Sequence, residues 1–106
     1  MERSHLSKFK NGWFVGNFKP SLFETEAFEI CVKQFRKGEI EPLHFQRIAT
    51  EVTVVLEGTV RMGDHVLEES DILIITKNEV CDFEALTDCK VMGLKFPSLP
   101  DDKVLV

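Results

Sequence analysis

The sequence predicts an all-β fold, either a sandwich or a small barrel. Apolar residues recur with period 2 or run continuously over short stretches, and no segment sustains a 3.6-residue apolar stripe. About eight short strands are separated by turn signals every 8 to 12 residues, the spacing of closed or layered β architectures. The nine Phe and one Trp, with no Tyr, suit the interior of such a fold. At 106 residues the chain is long enough for one core and too short for two, so one domain spanning 1–106 is expected.

The elements follow in order. Trp13, Phe14, Val15 and Phe18 form a first extended segment, which Asn17 and Lys19-Pro20 then bend. FEICVKQF, residues 28–35, alternates as a strand with Phe28, Ile30 and Val32 on one face. RKGE turns on Gly38, and Pro42, which has no amide proton, places the start of the next strand near itself. EVTVVLE, 51–57, is the clearest strand. TVRM and HVLE flank Gly63-Asp64 as a hairpin with a two-residue turn, where Gly in the first central position favours type II′. DILIIT, 71–76, is apolar throughout and is expected to be buried on both faces. CDFEAL and KVMGLKF add two strands around a turn at Thr87-Asp88. Segments 1–11 and 98–106 are expected to be loosely held tails.

Charge and composition narrow the function. The net charge is −5, and the 13 basic residues are scattered without a stripe, so a phosphate backbone would be repelled. No run of 18 apolar residues is present, and the opening MERSHLSKFK lacks the apolar core of a signal peptide; a cytoplasmic protein binding neither nucleic acid nor membrane is expected. Cys31, Cys81 and Cys89 are an odd number with no CxxC pair, which fits free thiols in a reducing compartment. His5, His65, Arg47 and Cys89 join no motif.

The residues that could carry chemistry lie in GEIEPLHFQRIATEVTVVLEG, 38–58. On a strand, His44 and Gln46 share a face. Glu51 opens the next strand after the four-residue link RIAT, short enough to return it alongside. An imidazole, a carboxamide oxygen and a carboxylate converging there would make a three-ligand set for a divalent ion with open positions. The alternative is ordinary strand packing, and spacing alone leaves both open.

Read whole, the pattern is Gly38, five residues, His44, one, Gln46, four, Glu51, six, Gly58. It resembles the first motif of the cupin superfamily, with Gln46 where that motif has a second His. SDILIITKNEVCDF, 70–83, lines up on the second motif: Ser70 stands for its first Gly, Asp71 is kept, Lys77-Asn78 occupy the turn, and Cys81 stands where a His is usual. The resemblance implies a double-stranded β-helix, a small jelly-roll barrel with a pocket lined by His44, Gln46, Glu51 and Cys81. It implies a divalent metal, Fe, Mn, Ni or Zn, held by His44, Gln46 and Glu51, and weakly bound or absent because only His44 and Glu51 match the family ligands by type. The superfamily hosts many functions, so fold does not choose among them. The favoured reading is a small polar or anionic ligand held in the barrel. One rival is a metal-dependent enzyme, an oxygenase or an isomerase or epimerase of a sugar derivative. Another is a structural or regulatory dimer module with a vestigial pocket. A homodimer is expected, with the Trp13-Phe14 segment adding to a partner's sheet edge.

Overall fold

The computed structural model describes all 106 residues. Two short 3-10 turns, Leu6–Lys8 and Lys10–Gly12, lead into eleven strands: β1 (Trp13–Gly16), β2 (Phe23–Glu24), β3 (Glu29–Phe35), β4 (Ile40–Gln46), β5 (Thr50–Glu57), β6 (Val60–Met62), β7 (His65–Leu67), β8 (Ile72–Ile75), β9 (Cys81–Ala85), β10 (Cys89–Phe96) and β11 (Lys103–Leu105). One sheet has the order β2-β1-β3-β10-β5-β8, the other β11-β4-β9-β6-β7. From β3 onward the chain changes sheet at every step except the β6–β7 hairpin. That winding is the double-stranded β-helix expected from the motifs.

Local chemistry accounts for the corners. Met62 pairs with His65, leaving Gly63-Asp64 as a two-residue turn, and Gly63 alone of the two has positive φ, as type II′ requires. Pro42 falls where the β4–β9 register shifts between Glu41 and His44, so the absent amide costs no ladder bond. The barrel's apolar end holds Val55, Val60, Met62, Leu67, Ile75, Cys81, Phe83, Ala85, Cys89 and Val91.

Four expectations are corrected. DILIIT is not buried on both faces: β8 is the edge of the larger sheet, and Ile72 and Ile74 are 65% and 60% exposed because no layer covers that side. The aromatics do not fill the interior: of the nine Phe only Phe83 is buried, and Trp13 is half-buried. Ile30 and Val32 do share one face of β3, as expected; it is the outer one, and Cys31 with its parity mates Glu29 and Lys33 points inward. The C-terminal segment is tied down. β11 pairs with β4, and Ser98 and Asp102 are buried. Trp13 and Phe14 are also not free to join another sheet, since β1 is paired on both sides.

Candidate functional site

His44 and Glu51 come from opposite sheets and line one cavity of about 420 Å³. They face each other across the barrel mouth; RIAT crosses between sheets and does not return Glu51 alongside β4. The turn is clamped by the C-terminal segment. Asp102 Oδ1 and Oδ2 accept from the amides of Ile48 (3.0 Å) and Ala49 (2.9 Å), and its carbonyl accepts from Arg47 N–H (3.1 Å). Three successive amides are thus satisfied by one residue, which sets the spacing of His44 and Glu51 on either side.

The cavity wall is dominated by charge. Lys10, Lys19, Lys33, Lys95 and Lys103 line it against Glu29, Glu41 and Glu51. Strand parity explains the inner row: Lys95 of β10 sits between Glu29 of β3 and Glu51 of β5 in the ladder. Lys33 and Lys95 hold their ammonium groups 5.4 and 5.0 Å from the centroid of Trp13, which fixes two long side chains by cation–π attraction. Lys33 also pairs with Glu41 at 3.4 Å, and Glu29 accepts from the hydroxyl of Ser98 at 3.0 Å. The Nδ1 of His44 lies 2.8 Å from the Pro42 carbonyl; the tautomer that donates there leaves Nε2 for a ligand.

Gln46 lies apart from this wall. It is 3% exposed and lines an adjoining cavity of about 270 Å³, which shares Glu29, Lys95 and Lys103 with the first. Its Nε2 is buried without a hydrogen-bond partner, an unmet donor that costs stability until something accepts from it. Cys81 is placed on the inward parity of β9, opposite His44, yet packs into the apolar core. Its neighbour Asp82 points outward, where the Arg61 guanidinium (2.9 and 3.1 Å) holds its carboxyl below the usual carboxylate range.

The donor set does not fit a divalent ion. No three His, Cys, Asp or Glu side chains come together as a ligand group. His44 and Glu51 share a cavity, Gln46 faces its neighbour, and Cys81 is in the core. The Lys33 and Lys95 ammonium groups lie on the same wall, where they would repel a dication. Spacing alone missed those lysines. Their signal was parity with Glu29 on β3 and with Gly93 on β10.

The three cysteines are free and buried. Burial pushes the Cys31 thiol up to about 11 and raises Cys81 and Cys89 as well. Because the thiolate is the reactive form, a disulfide-exchange reagent at pH 8 should titrate no thiol in the folded protein and all three after unfolding. A raised folded pKa stabilises below the unfolded value, so the contribution from Cys31 should be lost as pH climbs from about 9 toward 11. A thiol that reacts at once in native buffer would show its strand to be open.

Comparison with known proteins agrees on the fold. No family model matches the chain, and no curated protein does. Solved structures do. A Klebsiella pneumoniae protein with a double-stranded β-helix domain superimposes with a TM-score of 0.71 at 16% identity, covering 77% of this chain and 72% of its own. An RmlC-like cupin from Desulfovibrio desulfuricans gives 0.64 at 28% identity, with 72% and 77% covered. Oxalate oxidase in complex with the substrate analogue glycolate gives 0.64 at 19% identity; 76% of this chain aligns with 46% of that one. The chain is a small cupin-fold protein, and its structural neighbours include enzymes and proteins of unassigned activity.

Proposed function

We propose that the barrel mouth binds a small anion that also carries hydroxyl groups, such as a hydroxy acid or sugar acid. One observation carries the reading: five lysines surround a cavity with three glutamates, a local excess of positive charge in a chain of net charge −5. Ammonium groups held over Trp13 are placed to meet a carboxylate or phosphate. Glu51 and His44 Nε2 are acceptors for hydroxyl protons, and the unmet Gln46 N–H can donate to a further oxygen at the inner end. Oxalate oxidase, whose barrel resembles this one, binds glycolate, an anion of this class. The Lys33 and Lys95 ammonium groups on the cavity wall favour an anion over a dication there.

Thermal melts against phosphate, malate, citrate, gluconate and glucuronate, each matched in ionic strength with NaCl, test it. A true ligand at 100 times its dissociation constant adds about 2.7 kcal/mol. For a domain of this size that is a rise of roughly 10 °C. Lys95→Gln should abolish the shift while the far-UV circular dichroism is unchanged. If no anion stabilises beyond the NaCl control, or if Lys95→Gln responds as the parent does, the anion reading is wrong and the pocket is vestigial.

A further inference from the structure

Gln46 holds the only buried side-chain nitrogen or oxygen without a hydrogen-bond partner. The cavity it lines, about 270 Å³, is many times the roughly 30 Å³ that a water occupies in the liquid, so it is larger than a single bridging water needs. Its charge differs from that of the mouth. The mouth has five lysines against three glutamates, whereas this cavity has Lys95 and Lys103 against Glu29, Asp101 and Asp102. Glu29, Lys95 and Lys103 border both, so the balance of charge reverses across those three residues. Two of the carboxylates are fixed in place. Asp102 accepts from the amides of Ile48 and Ala49, and Glu29 accepts the Ser98 hydroxyl on Oε1, with its Oε2 still open.

We infer that this second cavity is a hydroxyl subsite, and that it selects a polyhydroxy monoacid, held with its carboxylate at the mouth, over diacids and over acids without hydroxyls. The inference rests on the anion reading of the mouth and adds to it the orientation of the ligand and the group at its far end. The Gln46 N–H requires an acceptor, and the open Glu29 Oε2 requires a donor. A hydroxyl is both at once. A second carboxylate could accept from Gln46, but it would stand among three carboxylates of like charge. An ammonium would suit those carboxylates and leave Nε2 unmet. An alkyl end would satisfy neither group and strip water from both. Gln46 is thus a specificity-determining residue. Its unmet donor costs stability, and a ligand hydroxyl offsets that cost.

Calorimetric titration with four acids at matched ionic strength tests it. Gluconate carries a hydroxyl on every carbon but the carboxyl. Glucarate has the same chain with a carboxylate at each end, hexanoate has the same length and no hydroxyl, and glycolate is short enough to stay at the mouth. Gluconate should bind at least about tenfold more tightly than each of the other three, the scale set by a buried polar group left without its partner. Gln46→Leu is close in size and removes the donor. It should erase the advantage of gluconate over glycolate and keep or raise the melting temperature, since an unmet donor is gone. A Gln46 that served only the fold would do the opposite: the melting temperature would fall and the ranking of the acids would stand. If Gln46→Leu does not fold, the ranking in the wild type carries the test by itself. Equal binding of glycolate and gluconate, or glucarate matching gluconate, would overturn the subsite and leave the mouth an anion site. No binding by any of the four would overturn both.

Discussion

Asp102→Ala should lower the melting temperature by about 15 °C or more. Its carboxylate satisfies the amides of Ile48 and Ala49, and Ala49 is 1% exposed. Removing it leaves two amide donors unpaired, each worth about 1–3 kcal/mol. For a domain near 100 residues each kcal/mol moves the midpoint by roughly 4–8 °C. Asp102→Asn keeps one acceptor oxygen and turns an N–H₂ toward the other amide, so it should fall between the two. The substitution should also weaken any anion that binds the mouth, because the clamped turn separates His44 from Glu51. Calorimetric melts of the three proteins decide this; a Tm within about 2 °C of the parent for Asp102→Ala, a few tenths of a kcal/mol, would mean that the clamp is not formed in solution.

Phe83→Ala should cost about 3–5 kcal/mol, the usual range for a buried ring lost from a core. Phe83 is 3% exposed and is the aromatic centre of the apolar end, with its ring centroid 4.5 Å from that of Phe35. The surrounding strands are held by ladder bonds and cannot collapse fully into the space. Phe23→Ala, which removes an exposed ring, should cost far less in the monomer. Urea unfolding of both measures the contrast, and equal losses would show that Phe83 is not the core residue described above.

The fold was legible in the sequence because its corners have backbone requirements that residue type reveals. Gly38 and Gly58 of the first motif both adopt positive φ, at 91° and 83°. The second motif lost its glycines but not its geometry: Ser70 and Asn78 occupy those turns at φ of 74° and 68°. That is why the match survived by distance when its letters had changed. The site was less legible. Alternation marks which residues share a face, not which face is inside. On β3 the set Phe28, Ile30 and Val32 is legible as one face but not as the outer one: the inside of the mouth is charged and the outside is aliphatic, the reverse of an ordinary half-buried strand. Alternation alone therefore does not mark Lys33 and Lys95 as residues of the cavity wall. The tail escaped notice for another reason. Its hold on the barrel is one aspartate, one serine and a three-residue strand, none of which has a period.

β11 also decides where this protein can be labelled. Lys103 lines both cavities, and Val106 donates its amide to the Leu43 carbonyl only three residues later. Anything attached at residue 106 emerges beside the barrel mouth. An environment-sensitive dye coupled there would sit close enough to report occupancy as a change in emission. A polyhistidine tag in the same place would bring its own imidazoles to the cavity and counterfeit a metal site, so metal titrations call for a tag at the other end or none.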